Sequence, residues 1–572
     1  MKRINYLASF LLAAVVLSSC GGIDKMKEEA SDLKFNVTPK VLEVHGGQVE
    51  YTIKGDVPGE WFNKKAIVEF TPALTYEGGE KLGDSKTYQG EKVEANNKVI
   101  AYETGGAVEF SGSFEYDENM RVADLEMRGT ATIGDNTIAL PSMKVADGVI
   151  STSQLVQVKP MPIMSADRFE RITEVNQMAD IHYVIQRSNI RRSELSNEDI
   201  TKLEEFIKEV DARKELEYKG IEVDAYASPD GPLDLNERLS KNRKESADSY
   251  LKKALNGTKI SELEAQQIFR MRSTAEDWDG FKKLVEASDI QDKEIILRVL
   301  SMYSDPAVRE KEIKNIAATY EVLAEDILPL LRRSELKLNV NKIGFTDEEI
   351  KDYLNSNPDT LNLEEALFAG KIIADLDQKM KAFQLAAKIE SACFRAQNNI
   401  GYVHMKKGNV DAAKAAFEKA NELKSGNAIV LNNLGAIALV EGEKEAAEEY
   451  FLKATDAGAA VDYNLGIIKI MDGEYDAAVN YFQDHTTFNT ALAMLLAGKT
   501  DAAMKTVEAL EDDAAMNYYL KAVIAARIGD EAVVMNSLRT AVAKEGSLKE
   551  MAKTDLEFAD YFANETFVGI VE

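Results

Sequence analysis

Few residues of this chain have the types and spacing that metal binding or nucleophilic catalysis requires. The four histidines lie far apart and show no HxxxH, HxH or HExxH spacing, at His45, His182, His404 and His485. Zinc sites are usually built from histidine and cysteine ligands at short, regular spacings. No serine or cysteine nucleophile with a matched histidine stands out, and no pair of carboxylates does. We therefore expect no enzyme, no catalytic residues, no metal and no cofactor.

The first cysteine ends a segment that is typical of a secretion signal. Lys2 and Arg3 precede a mostly apolar run over residues 4–17, and a Leu-Ser-Ser-Cys sequence ends at Cys20. The apolar run is shorter than the roughly 20 residues that cross a bilayer. The pattern resembles the bacterial lipoprotein signal. That resemblance implies removal of residues 1–19 and a lipid on Cys20.

The polar residues 20–33 are then expected to form a tether between the lipid and the first domain. Position 21 is glycine instead of aspartate. By resemblance to lipoprotein sorting rules, this favours the outer membrane. We expect the protein to face the periplasm, and exposure at the cell surface remains the alternative.

Composition predicts several soluble domains and excludes one class of partner. The chain has 572 residues, of which 45% are hydrophobic and 29% charged, so three or four domains are expected. The net charge is −28. Because this charge repels a phosphate backbone, nucleic acid is not an expected partner.

Residues 34–158 follow a two-residue hydrophobic period that is typical of antiparallel strands. Val49 to Ile53, Ala66 to Phe70 and Ala107 to Phe110 each alternate. Gly-Gly and Asn-Asn pairs between such stretches predict tight turns. We expect an all-β sandwich that acts as a spacer or a protein-binding module.

Residues 178–345 alternate between strand and helix patterns. A strand near His182 to Ile185 precedes an amphipathic helix after Asn197, and a second strand and a second helix follow over residues 221–255. About 70 residues of predicted helix, 257–327, separate this β-α-β-α order from a closing strand over residues 328–340. The sequence predicts a central α+β domain with a helical insertion.

The second strand and helix resemble the OmpA-like peptidoglycan-associated domain over about 80 residues. The matching residues are Tyr226, Gly231, Asn236, Leu239, Ser240 and Arg243. In that family an aspartate and the helical arginine hold diaminopimelate, through its amine and its carboxylate. Here Arg243 keeps its place, Ser228 replaces the aspartate, and Asp230 is a possible substitute. The resemblance implies a peptidoglycan site at Ser228, Asp230, Asn236 and Arg243. The alternative is a scaffold for protein contacts with ordinary ion pairs.

Residues 360–560 contain an internal repeat. Ile400-Gly401, Gly408, Ala413, Phe417 and Ala420 recur 34 positions later as Leu434-Gly435, Gly442, Ala447, Phe451 and Ala454, and again as Leu465-Gly466, Gly473, Ala478 and Phe482. The pattern resembles the tetratricopeptide repeat, an all-α solenoid of helix pairs. In peptide-binding members, asparagines on the first helix hold the peptide backbone, which implies a groove at Asn399 and Asn433. Alternatively, the groove is empty or filled by the chain itself.

Together these features resemble a Bacteroidota outer-membrane lipoprotein with an OmpA-like domain and C-terminal tetratricopeptide repeats. We expect a scaffold or tether that links the outer membrane to protein partners, with peptidoglycan as an additional partner if the OmpA-like site binds it. Two alternatives remain open. The protein could be an accessory of an envelope secretion or assembly machine, or a surface-exposed binding lipoprotein.

Overall fold

The computed structural model describes residues 21–290 and 292–572. Contacts within the chain define two compact units. The first contains residues up to 166 together with 390–572, and the second contains 167–389. The predicted signal peptide, residues 1–19, and Cys20 lie outside the described residues. Within the described part, no helix combines the length and the apolar character that crossing a membrane requires.

The first unit begins with a helix, α1 (Gly21–Glu28), where the sequence predicted a polar tether. Ile23, Met26 and Ala30 are buried, and Ile23 and Met26 join the core of the β domain. Their spacing of three and four residues puts them on one helical face. Apolar residues at helical spacing therefore anchor residues 21–33 to the domain, whereas the sequence predicted a polar tether there.

Eleven strands form the β domain. They are β1 (Lys34–Thr38), β2 (Val41–His45), β3 (Gln48–Val57), β4 (Ile67–Tyr76), β5 (Gly79–Leu82), β6 (Lys86–Gly90), β7 (Lys98–Ile100), β8 (Gly106–Glu115), β9 (Ala123–Ile133), β10 (Asn136–Ala139) and β11 (Met143–Ile150). The predicted alternation is observed, since Val49, Tyr51 and Ile53 all point into the core. Gly46 and Gly47 adopt positive φ angles of 56° and 75° in the turn before β3, a conformation that favours glycine.

The strands form one connected sheet, a β-rich half-barrel, and the expected sandwich of two separate sheets is not found. The order is β1-β3-β2-β11-β9-β4-β6-β7, with β5, β8 and β10 paired at its sides. The connection runs through β2, which pairs with β3 at Val44 and with β11 at Val41. Because one strand bonds to both groups of strands, the sheet curls around a single core.

The second unit contains a four-stranded sheet and helices. Its elements in chain order are β12 (Ile172–His182), α2 (Glu198–Ala212), β13 (Leu216–Tyr226), α3 (Leu233–Ala254), α4 (Glu262–Ile268), β14 (Phe269–Thr274), α5 (Trp278–Ala287), α6 (Lys293–Met302), α7 (Pro306–Lys314), α8 (Ala317–Val322), α9 (Leu328–Leu331), β15 (Arg333–Ile343), α10 (Asp347–Ser356), α11 (Leu363–Ile372) and α12 (Leu376–Ile389). The sheet order is β12-β15-β13-β14, with β15 antiparallel to β12 and β13. The predicted β-α-β-α order is observed.

Three boundaries differ from the sequence-based prediction. The first strand begins at Ile172 and ends at His182, so it precedes the predicted position and the predicted domain start at 178. The closing strand β15 begins at Arg333, because residues 328–331 form α9. The insertion 257–327 is not wholly helical, since β14 pairs in parallel with β13. This parallel pairing to a distant strand is a tertiary contact that a local helical period does not reveal.

The chain returns to the first unit in a series of antiparallel helix pairs. Its helices are α13 (Phe394–Lys406), α14 (Val410–Leu423), α15 (Ala428–Val440), α16 (Lys444–Lys453), α17 (Ala459–Met471), α18 (Tyr475–Tyr481), α19 (Phe488–Leu496), α20 (Thr500–Glu508), α21 (Ala515–Ile528), α22 (Glu531–Lys544), α23 (Leu548–Thr554) and α24 (Glu565–Val571). The predicted range 360–560 is therefore divided. Helices α11 and α12 belong to the second unit, and the series in the first unit runs to residue 571.

Candidate functional site

Close packing within each helix pair fixes the orientation of the first helix. A Cβ atom added to Gly401 would lie 2.6 Å from the ring of Phe417, and equivalent contacts of 2.7 and 2.5 Å join Gly435 to Phe451 and Gly466 to Phe482. Only glycine allows this approach, so each first helix is seated on the aromatic ring of its partner. In all three pairs, an asparagine stands two residues before the glycine.

These asparagines bind a segment of the same chain, residues 157–165. We call Asn399, Asn433, Asn464 and Asn489 the asparagine ladder; they lie on α13, α15, α17 and α19. Their Oδ1 atoms accept the backbone N–H groups of Ser165 (2.7 Å), Ile163 (2.7 Å), Met161 (2.7 Å) and Gln157 (2.9 Å). Their Nδ2 atoms donate to the carbonyls of the same residues at 3.0, 2.7, 3.1 and 2.8 Å.

The carboxamide group explains why asparagine occupies these positions. It carries one acceptor oxygen and a donor NH₂, so one side chain pairs with the N–H and the C=O of a single residue. All four ladder residues are buried, and their neighbours Asn398 and Asn432 add bonds of 3.1 Å to the carbonyls of Ile163 and Met161. Because the hydrogen bonds that join the ladder to the segment all go to backbone groups, these bonds recognise the main chain and not particular side chains.

Proline spacing in the bound segment matches the ladder. Met161, Ile163 and Ser165 each donate an N–H to it, and Pro160 and Pro162 lie at the alternate positions. Proline has no N–H to donate, so it fits between bound residues but not at one. It also biases the preceding residue toward extended backbone, which favours the bound conformation.

Some side chains of residues 157–165 are buried in the groove, and others are exposed to solvent. Met161 and Ile163 pack against the apolar core of the helix series, and Pro160 is buried. Val158 is 38% exposed and Lys159 is exposed as well. Ser165 is only 4% exposed, and its hydroxyl oxygen has no hydrogen-bond partner among the described residues. The groove therefore selects apolar side chains near its middle and a small side chain at Ser165.

The chain just before the segment is fixed between the β domain and the last helices of the series. Ser153 donates its hydroxyl to the carbonyl of Val44 at 3.1 Å, and Thr152 donates to Glu557. Arg527 binds the same Glu557 carboxylate through Nε at 2.9 Å and pairs with Glu43 at 3.4 Å. These contacts place the amino end of residues 157–165 at the groove.

A known protein family matches one of these helix pairs. The tetratricopeptide-repeat family model matches residues 394–427, which correspond to α13 and α14. Residues 394–427 are a tetratricopeptide repeat. The helical region as a whole matches a tetratricopeptide-repeat solenoid in kind, with pairs that become shorter toward α20. No curated protein matches the chain.

Several solved structures resemble part of this chain. YrrB, described as a tetratricopeptide-repeat protein with an unusual peptide-binding site, is 21% identical, with 32% of this chain and 99% of that chain covered and a TM-score of 0.26. PilF of Pseudomonas aeruginosa is 17% identical, with 38% and 99% covered and a TM-score of 0.29. A tetratricopeptide-repeat protein of Parabacteroides merdae is 14% identical, with 43% and 99% covered and a TM-score of 0.28.

The structure places both predicted groove residues, Asn399 and Asn433, on the surface that holds residues 157–165. The occupant is the chain itself, which was one of the two alternatives; binding of a separate peptide stays a prediction. Asn464 and Asn489 complete the ladder beyond the predicted pair. A sequence signal for them exists, since Asn489 also stands two residues before a small residue, Ala491.

The second predicted site, in the second unit, is built around a buried arginine. Arg243 is 1% exposed and donates to the carbonyls of Arg187 at 3.1 Å and Tyr226 at 2.7 Å. Its guanidinium also lies over the ring of Tyr183. Burial lowers the pKa of Arg243 to about 10, and the nearby positive charge of Arg332 acts in the same direction.

The other residues of this site bind one another. Ser228 donates its hydroxyl to Asp230, and the same carboxylate pairs with Arg332 at 3.1 Å. Asn236 donates to the carbonyl of Gly231 at 3.0 Å. The structure therefore brings Asp230 to Ser228, and the charge of Asp230 acts on Arg243. In this arrangement the groups that would hold a diaminopimelate centre already have internal partners.

The helical insertion covers the approach to Asp230. Trp278, Phe281 and Tyr320 line a small pocket together with Pro229 and Asp230. Peptidoglycan binding at Arg243 stays a prediction, and a ligand would have to displace these internal contacts. Among the described residues, no group of three or more histidine, cysteine or acidic side chains is arranged to hold a metal ion.

Proposed function

We propose that the protein is a non-enzymatic scaffold for protein contacts, and that its asparagine ladder is the part that grips extended polypeptide. The observation that carries the proposal is the two-way pairing of each ladder amide with one backbone residue, at four places along residues 157–165. Tetratricopeptide repeats generally mediate binding to protein partners, which supports this assignment. Such a groove performs no chemistry; it positions a chain.

We further propose that this scaffold belongs to the cell envelope, and two features support this part of the proposal. The lipobox-like sequence that ends at Cys20 supports an acyl anchor on the outer membrane, with buried acyl CH₂ groups contributing about 0.8 kcal/mol each. Helix α1 begins at Gly21, so an anchor on Cys20 would be attached directly beside a helix that packs on the β domain. The scaffold would thus be held close to the membrane, in an envelope assembly or secretion machine or as a general tether.

Comparative co-purification tests the scaffold function. The full-length protein, the double variant Asn433→Ala/Asn464→Ala and the control Asn536→Ala would be isolated from the native envelope; Asn536 is exposed on α22. We expect a defined partner with the wild type and the control, and its loss with the double variant. A partner that co-purifies with all three proteins would show that the binding surface lies outside the ladder. Absence of any partner would reject the scaffold function.

Lipidation is tested separately. Growth with a labelled fatty acid should label the wild-type protein and leave Cys20→Ser unlabelled and in the soluble fraction. Equal labelling of both proteins, or none of either, would refute the anchor.

Peptidoglycan tethering is the second candidate. It is favoured by the resemblance of the second unit to the OmpA-like domain and by the position of Asp230, which lies with Ser228 near Arg243. Titration with a diaminopimelate-containing stem peptide tests it, with Asp230→Asn as the variant. Saturable binding that this substitution weakens at least about tenfold would support a wall tether. No binding by the folded wild type would leave the second unit as a scaffold for protein contacts.

A further inference from the structure

We infer that residues 157–165 are an internal pseudo-ligand that closes the groove, and that a partner segment enters only when they leave it. The expected partner is an extended, neutral or basic peptide in which any prolines occupy alternate positions. This inference rests on the proposed function and identifies its ligand class and its control.

The pattern of the occupant defines what the groove accepts. Bound residues must supply an N–H, as Met161 and Ile163 do, whereas Pro160 and Pro162 occupy the positions between. A partner with proline at a bound position loses one of the two bonds of a ladder amide. Residues 157–165 contain one lysine and no acidic residue, within a chain of net charge −28. A neutral or basic segment therefore suits the surroundings better than an acidic one.

The character of the contact makes exchange feasible. Most of the hydrogen bonds join the ladder to backbone, and residues such as Val158 and Lys159 keep their side chains in solvent. If the segment left, water could pair with the exposed amides of the ladder, so no charge would be left buried without a partner. Local release therefore costs far less than unfolding the helices.

Attachment explains why the groove is filled in this state. The segment follows directly on Ser153 and Thr152, which are bonded to the β domain and to the end of the helix series. Covalent attachment to the rest of the chain on both sides, with the carbonyl of Ala166 accepting from Arg395 at 3.4 Å, gives the segment a high effective concentration at the groove, on the order of millimolar for a short flexible connection. A free peptide of equal intrinsic affinity competes poorly against it.

The test uses a probe of known sequence. A fluorescein-labelled peptide with the sequence of residues 155–166 is titrated by anisotropy against the full-length wild type and against an opened variant, Met161→Pro/Ile163→Pro. The opened variant lacks two of the bound N–H groups. We expect saturable binding to the opened variant, affinity for the wild type at least about tenfold weaker, and no binding after Asn433→Ala/Asn464→Ala is added to the opened variant.

The remaining outcomes overturn the inference in distinguishable ways. Equal binding by wild type and opened variant would mean that the segment does not close the groove, although the ladder still grips peptides. Absence of binding by an opened variant with unchanged circular dichroism would reject the ladder as a peptide site, and with it the proposed function of the groove.

Hydrogen exchange of the wild type decides the case in which the opened variant does not fold. Backbone amides of residues 161–165 should exchange faster than those within α15 if the segment leaves the groove by local opening. Exchange only at the rate of α15 would make residues 157–165 a permanent part of the fold and would overturn the inference.

Discussion

The side-chain amide of Asn433 forms two hydrogen bonds with one residue, Ile163, accepting its N–H and donating to its carbonyl, both at 2.7 Å. The two residues are 270 positions apart in the sequence. This pair is the geometric unit of the groove, and three other asparagines repeat it along the segment.

Asn433→Ala should loosen residues 157–165. The substitution removes both bonds to Ile163 and the bond from Asn433 to Asn398, so we expect a loss of about 1–3 kcal/mol in the local opening free energy. Hydrogen exchange of the segment measures it. Asn536→Ala, at an exposed position on α22, should leave the exchange rate within about twofold of wild type. Equal effects of the two variants would contradict the ladder.

The effect of a proline substitution should depend on whether the position donates an N–H to the ladder. Met164→Pro continues the alternate positions of Pro160 and Pro162 and should leave the segment bound. Ile163→Pro removes an N–H that Asn433 accepts and should weaken the segment by at least about 1 kcal/mol. Limited proteolysis within residues 157–165 distinguishes the two variants. Greater sensitivity of Met164→Pro than of Ile163→Pro would exclude the proposed register.

Ser165→Ala should be neutral or stabilising. The Ser165 hydroxyl is buried without a partner in the described structure, so removing it relieves a desolvation penalty of about 1 kcal/mol or more. The matched variant is Ser153→Ala, because the buried hydroxyl of Ser153 donates to Val44. Ser153→Ala should lower the free energy of unfolding by about 1 kcal/mol. Urea unfolding of both variants, compared by their midpoints, checks the opposite signs.

Arg243→Ala should destabilise the second unit by about 2–4 kcal/mol. The substitution leaves the carbonyls of Arg187 and Tyr226 without their donor and opens a cavity beneath Tyr183. Arg238→Ala, one and a half turns earlier on α3 and exposed, should cost less than about 0.5 kcal/mol. Thermal unfolding compares them. A folded Arg243→Ala protein of wild-type stability would contradict a structural role for the buried arginine.

Ile23→Ala should destabilise the β domain. Ile23 is 1% exposed and packs into the core of the half-barrel, so its truncation should cost about 2–5 kcal/mol. Lys27 lies on the exposed side of α1, so Lys27→Ala provides the control and should change the free energy of unfolding by less than about 0.5 kcal/mol. Wild-type stability of Ile23→Ala in thermal unfolding would restore the interpretation of residues 20–33 as a free tether.

The sequence by itself determined the local elements whose causes lie within a short window. Alternation of apolar residues predicted strands such as β3, because side chains on a strand point alternately to its two faces. The glycine-to-phenylalanine spacing predicted the helix pairs, since Gly401 and Phe417 meet within one pair. The same register placed Asn399 and Asn433 on the side of the first helices that faces the bound segment.

Tertiary structure alone decided what fills the groove and which elements join. The ladder contacts span 234 to 332 positions of sequence, and nothing in a local window indicates that residues 157–165 meet them. Long-range pairing likewise decided that β2 joins all strands into one sheet and that β14 pairs with β13. Tertiary structure also decided the burial of Ile23 and Arg243, because burial depends on which distant surfaces pack together and not on residue type alone.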